Sequence, residues 1–296
     1  MILRVFDVPN IIRTGLSNRV ATIMGGVVNT PSGYKALEMK SGGISLLFRM
    51  IKKYKNDTLI FCCDREPTVK RGFDPTYKMT KKDYENDSDY AKQIKAIEII
   101  LKDCGYNVLA KDGYEADDLI FSTVKKYKDL AQEVIVHTKD SDLCLLVEQN
   151  VSIGPVGNNN REVNMENYEL AVTKKQLTPY NTATLSKIYH GDTSDGVKAG
   201  NRSAVHKIKE IIESSKVLPT LCGSYDFLYN LFKSEAPELI PQLNIIFPLQ
   251  IDVEVNLELK PINDNIEAWG YISNCGDYKK KPENEVEILK KIYEYF

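Results

Sequence analysis

What this sequence lacks narrows its function before any motif is read. No apolar run approaches the roughly 20 residues that a helix needs to cross a bilayer. The opening MILRVFDVPN lacks the apolar segment and cleavage site of a signal peptide. The three histidines, His137, His190 and His206, show neither triad nor zinc spacing. His137 reads as core, and the single tryptophan, Trp269, reads as structural. The six cysteines form no CxxC pair, and Cys62–Cys63 lies inside an apolar run. All six are expected to be reduced thiols, mostly core, in a cytoplasmic protein. No P-loop or GxGxxG occurs, so a nucleotide-cofactor enzyme has little support. Ser141 stands beside Asp140 and Asp142, but no base is placed to make it a nucleophile. There is no internal repeat and no low-complexity segment.

Net charge is nearly absent as well. Thirty-nine Lys and Arg against 41 Asp and Glu leave −2, which does not advertise a polyanion partner. The charge is uneven, however. Basic clusters stand at RMIKKYK (49–55), TVKRGFDPTYKMTKK (68–82), KKYK (125–128), RSAVHKIK (202–209) and YKKK (278–281). Any one of them reads most simply as a solvated helix face. Local basic surfaces combined with a concentrated acidic site would give the same near-zero total.

What is present is a repeating pattern. ILRVFDV, DTLIFCCD, YNVLAKD, EVIVHTKD and NVSIGPV read as strands, separated by helical stretches such as 42–55, 89–105 and 114–129. IMGGVVNT reads as a Gly-containing loop, and residues 65–88 as a long loop or mobile element. The alternation predicts an α/β fold with a mostly parallel central sheet flanked by helices. From about residue 165 the pattern turns mainly helical, which suggests a core over 1–165 and a helical C-terminal part over 166–296.

The acids fall where such a sheet would gather them. Asp7, Asp64 and Asp140 end strands, with Asp142 just beyond, while Glu115, Asp117 and Asp118 open a helix after a strand. Carboxyl ends of parallel strands share one edge, where ligands bind. Each acid alone is explicable as a turn residue, a cap or a complement to the helix dipole. Together they form a ring of carboxylates that calls for a hard divalent cation. Oxygen donors favour Mg²⁺ or Mn²⁺ over zinc. Seven acids are too many for one octahedral ion and suggest two, a recurring device for phosphodiester hydrolysis. YHGDTSDGV (189–197) adds Asp192 and Asp195, either as a cap turn or as further ligands.

At this point the chain resembles a known family over roughly residues 1–210. VFDVPN, FCCDREPTVKR, PTYK, GYEADD, TKDSDLCLLV and GDTSDGV follow, in order, the motifs of the 5′ nucleases. These are flap endonucleases, the 5′–3′ exonuclease domains of bacterial DNA polymerase I, and stand-alone phage enzymes of the ribonuclease H type, built on a PIN-like core. The resemblance implies one metal held by Asp7, Asp64, Glu115 and one or both of Asp117 and Asp118. It implies a second held by Asp140, Asp142, Asp192 and Asp195. Arg71 and Lys78 would contact the scissile phosphate, with Asp140 essential to catalysis. Residues 65–100 would form an arch for a 5′ single strand, where Tyr77, Phe73 and Tyr84 stack on bases or pack within the arch, and Lys81 and Lys82 follow phosphates. A helix–turn–helix with Lys198, Arg202, His206 and Lys207 would meet duplex DNA.

Two departures stand out. Gly196 replaces the family's Asn, and VKAGNRSAVHKI is several residues shorter than the usual pattern, which puts the family's K⁺ site in doubt. The implied activity is metal-dependent cleavage of branched or 5′-ended DNA, and of RNA–DNA hybrids, in primer and flap removal. The implied actor is a monomer working beside other replication proteins, away from membranes; a phage source fits. The competing readings are a PIN-type single-strand ribonuclease, a catalytically silent binder of branched DNA, and a hydrolase of small phosphate esters.

Overall fold

The structure, a computed structural model, describes residues 1–17, 27–30, 33–36, 42–79, 89–157, 162–167, 182–192, 195–214, 225–272 and 283. In chain order its elements begin with strand β1 (Ile2–Asp7), helix α1 (Val8–Ser17), and strands β2 (Val27–Thr30) and β3 (Gly33–Ala36). Helix α2 (Gly42–Lys53), strand β4 (Thr58–Cys62), and helices α3 (Thr68–Phe73) and α4 (Asp89–Asp103) follow. Strand β5 (Asn107–Leu109), helix α5 (Ala116–Tyr127), and strands β6 (Glu133–His137) and β7 (Val151–Gly154) complete the sheet. The remaining helices are α6 (Thr182–His190), α7 (Arg202–Ser214), α8 (Tyr225–Glu235), α9 (Ile240–Ile246) and α10 (Asn263–Ile272).

The five expected strands form one sheet in the order β5–β4–β1–β6–β7, with every pairing parallel. Parallel strands are buried on both faces, which explains near-continuous apolar runs such as LIFCC. Leu3 and Val5 of β1 enter one core and Phe6 the other, as the strand period of two requires. One face is covered by α1, α2, α4 and α10, with Trp269 fully buried and its indole N–H donating to Asp103 at 2.8 Å. The other face carries α5 through α9. The helical residues after 165 therefore pack on the same sheet as the N-terminal part. His137 is buried, stacked on Phe6 and tilted against the Tyr54 ring, and its burial pushes its pKa down to about 4.

Two local readings change. Residues Val27–Thr30, expected to be part of a loop, form a strand that pairs antiparallel with Gly33–Ala36. Thr68–Phe73, inside the expected long loop, is a short helix after Pro67. The helix expected over 165–177 lies mostly outside the described residues.

The topology positions the site. The central strand β1 has β4 on one side and β6 on the other, so the chain's direction of winding reverses there. Such a switch point leaves a crevice at the strands' carboxyl ends.

Candidate active site and metal centre

A cleft of about 260 Å³ opens at that crevice. Among the described residues it is lined by eight carboxylates, Asp7, Asp64, Glu115, Asp117, Asp140, Asp142, Asp192 and Asp195, against three cations, Arg13, Lys78 and Lys187. Asp7 ends β1, and Asp64 and Asp140 follow its two neighbours, β4 and β6, which is why residues far apart in sequence meet.

The floor is paired. Glu115 caps α5, and Asp118 accepts from its backbone N–H at 3.1 Å in a capping box. Lys70 is buried beneath both, its ammonium 3.0 Å from Glu115 and 3.1 Å from Asp118. Lys78 also pairs with Glu115, and the Tyr77 hydroxyl donates to it at 2.8 Å. Burial alone would raise the pKa of Glu115, but Lys70 and Lys78 hold it well below the carboxylate range. Burial alone would likewise lower those of Lys70 and Lys78, yet the acids around them keep both raised and charged.

The mouth is different. Burial pushes the pKa of Asp7 up to about 7, with Asp64 and Asp140 adding repulsion, although Thr138 donates to it at 2.6 Å and the Asn10 N–H at 3.1 Å. Asp117 is raised well above the ordinary range by burial, then by Asp140 and Asp7. Asp64 is raised by burial and Glu115, against opposing pulls from Lys78 and Arg13. Asp142 is raised by burial and Asp140, even though Lys187 pairs with it. Lys187 also reaches Asp192 at 2.9 Å.

Asp192 and Asp195 are delivered by a tight turn. The backbones of Asp192 and Val197 exchange hydrogen bonds at 2.8 Å, and the Asp195 N–H donates to the Asp192 carboxylate at 3.2 Å. Gly196 sits at φ +74°, and a Cβ there would lie 2.9 Å from the Thr76 carbonyl. The departure at this position thus has a local cause: a left-handed turn docked against the backbone of residue 76. The Lys78 N–H donates to the Asp195 carbonyl at 2.9 Å, and Lys78 itself adopts φ 51°. A non-glycine residue in that region is sparsely populated and held by its surroundings.

Several expected roles are corrected. Asp118 reads as structural rather than as a metal ligand, because its oxygens accept from Lys70, the Glu115 N–H and, at 2.7 Å, the Leu249 N–H. That last bond pins an extended strap, 249–256, along α5, with Ser122 and Tyr127 accepting from the N–H groups of Ile251 and Val255. Tyr77 is buried against Val197 and Ile245 and is closed to base stacking. Arg71 does not line the cleft: it donates to the Tyr77 carbonyl at 3.0 Å and the Lys78 carbonyl at 3.3 Å and pairs with Glu66. In this structure it braces the backbone that carries Lys78.

Phe73 is exposed, whereas Lys81, Lys82 and Tyr84 lie outside the described residues. Lys198, Arg202 and His206 are exposed around the start of α7, whose N-cap Asn201 accepts from the Ser203 N–H at 3.0 Å. Lys207 is exposed and paired with Glu235 at 2.9 Å. Sequence reasoning missed Lys70, Lys187, Arg13, Asn10 and Thr138. Lys70 was detectable in principle as the neighbour of Arg71 that a helical phase turns inward, and Lys187 as a lone cation near the end of a helix that leads into Asp192.

The donor set is all oxygen, desolvated and short of positive charge, which fits hard divalent ions. Among the described residues no three acids are already drawn together as an ion's ligands; Lys78 and Lys187 hold several of them instead.

Comparison with known proteins agrees with this picture. A family model of the 5′–3′ exonuclease N-terminal, resolvase-like domain matches residues 23–176. A 5′-3′ exonuclease of Aquifex aeolicus is 34% identical over 113 residues, 38% of each chain. DNA polymerase I of Chloroflexus aurantiacus is 23% identical over 225 residues, 72% of this chain and 24% of that one. The matched region is thus a minor part of either relative's length. The flap endonuclease of bacteriophage T5, solved in complex with DNA and metal ions, superposes with a TM-score of 0.57 at 17% identity, covering 99% of this chain and 98% of that one.

Proposed function

We propose that this chain, which belongs to the 5′–3′ exonuclease family with its N-terminal resolvase-like domain, is a divalent-metal-dependent 5′ nuclease that hydrolyses phosphodiester bonds of branched or 5′-ended DNA. The observation that carries the reading is the convergence of eight carboxylates on a cleft with three cations. Two Mg²⁺ or Mn²⁺ ions would supply the missing charge. Asp7, Asp64 and Asp117 would hold one, with Glu115, expected beside them, already taken up by Lys70, Lys78 and Tyr77; Asp140, Asp142, Asp192 and Asp195 would hold the other. When bound, such ions lower the pKa of water and stabilise charge on attacking and leaving oxygens.

The chain's own groups do the rest. Lys78, fixed by the Arg71 and Asp195 contacts to its backbone, offers its ammonium at the cleft wall to a phosphate. Arg13 offers a second cation at the same cleft. Thr138 and the Asn10 N–H fix the rotamer of Asp7. Lys198 and Arg202, exposed beside the start of α7, suit the phosphates of a duplex arm. The set of acids comes from one chain, so a monomer suffices.

The test is a 5′-labelled flap duplex incubated with Mg²⁺, with EDTA, and with the Asp140→Asn variant. Cleavage near the junction that needs the metal and disappears in the variant is expected. Tight binding without cleavage in Mg²⁺ or Mn²⁺ would leave a silent binder of branched DNA. A ribonucleotide flap in the same assay tests primer removal.

A further inference from the structure

The inference deepens the two-ion reading and rests on it. Lys187 comes from α6, and its ammonium is clasped by two acids from other elements. Asp142 reaches it from the 3₁₀ turn after β6, and Asp192, 2.9 Å away, from the tight turn after α6. Both contacts use an Oδ2 oxygen, and the lysine side chain is three-quarters shielded from solvent. A cation in that position satisfies the lone pairs and the charge that an ion at Asp142 and Asp192 would need.

Lys78 is not equivalent. Its main partner Glu115 is already held by Lys70 and Tyr77, and of the second-ion acids it reaches only Asp195, at a longer 3.8 Å, so Lys78 belongs to a fixed network. Lys187 instead bridges two carboxylates that belong to the proposed second-ion set.

We propose that Lys187 is a resident counter-cation that competes with the second divalent ion for Asp142 and Asp192. The ion enters as the ammonium leaves. That exchange makes this the weaker of the two ion sites and keeps the two acids from repelling each other while it is unfilled. Lys187 is therefore a positioning residue that sets ion affinity.

The test is Mn²⁺ binding by titration calorimetry and by electron paramagnetic resonance, on the full chain without DNA. Wild type should show one tight and one weaker site. Lys187→Met should tighten the weaker site about tenfold, leave the tight site within twofold, and lower the metal-free melting temperature, with Mn²⁺ restoring it. Lys187→Arg keeps the charge and should keep the weaker site weak. If Lys187→Met does not fold without metal, Lys187→Gln, which retains a donor without the charge, carries the same expectation.

Unchanged or weakened binding at the second site in the neutral variants overturns the competition while leaving the nuclease reading intact. Absence of Mn²⁺ binding in wild type overturns both.

Discussion

The floor and the mouth of one cleft are built from the same residue types and behave in opposite ways. On the floor, Glu115 and Asp118 are buried, yet Lys70 lies within 3.1 Å of both and each accepts at least one further hydrogen bond. At the mouth, Asp7 and Asp117 are crowded by other carboxylates, and burial raises their pKa values. The contrast is sharpest between Asp117 and Asp118, adjacent on one helix turn. The fold completes the floor acids for itself and leaves the mouth acids crowded, which is the arrangement the proposed ions would relieve. Strain of this kind concentrates at functional sites.

The contrast breaks most severely at Lys70. Lys70→Met removes the charge from beneath two buried carboxylates, and breaking a buried pair from one side costs about 3–5 kcal/mol. Denaturant unfolding should show a loss of that size, and excess Mg²⁺ should recover little of it because the floor is internal. A smaller effect, with the opposite signature, is expected at the mouth. Asp117→Asn should lower flap cleavage by about 10²–10³-fold, the scale of losing one electrostatic group in a preorganised site. The same variant should melt no lower than wild type without metal, because it removes a repelled charge. A metal-free Asp117→Asn that unfolds as readily as Lys70→Met would erase the distinction between floor and mouth.

Much of this was legible in the sequence, for identifiable reasons. Period and strand-end acids fixed the parallel sheet and placed Asp7, Asp64 and Asp140 on one edge, because a parallel sheet leaves few alternatives. What escaped was phase over short distances. VKR offers two adjacent cations, and only a six-residue helix after Pro67 determines that Lys70 turns inward while Arg71 turns to the 77–78 backbone. EADD offers three acids; a helix wheel groups Glu115 with Asp118 and sets Asp117 apart, but at a helix start only the capping box and Lys70 decide that this grouping holds. Tyr77 among lysines suits stacking or packing equally in sequence; its contact with Glu115 settles the matter for packing. Lys187 belongs to no motif, since its partners arrive from turns some 45 and 5 residues away.

The smallest effect is also the most diagnostic, because pH acts on the mouth while sparing the floor. Asp7 has a folded pKa near 7 against an ordinary 3.8, so between those values the folded protein keeps a proton that the unfolded chain releases. Stability falls with pH wherever the native state binds more protons. The contribution of Asp7 is therefore present below its unfolded pKa and is lost as pH rises through about 7. Asp64, Asp117 and Asp142 are shifted in the same direction. Two groups act the other way, but lower on the scale. Glu115, with its depressed pKa, loses its contribution only as pH falls below the ordinary carboxylate range. His137, lowered from 6.5 to about 4, adds stability with rising pH only up to its unfolded value. From about pH 6.5 to 8 the mouth acids are left to decide the slope. The metal-free protein should melt at progressively lower temperature across that window, and saturating Mg²⁺ should flatten the slope by supplying the missing positive charge. A slope that Mg²⁺ leaves untouched would mean that the crowded carboxylates are not where the ion goes.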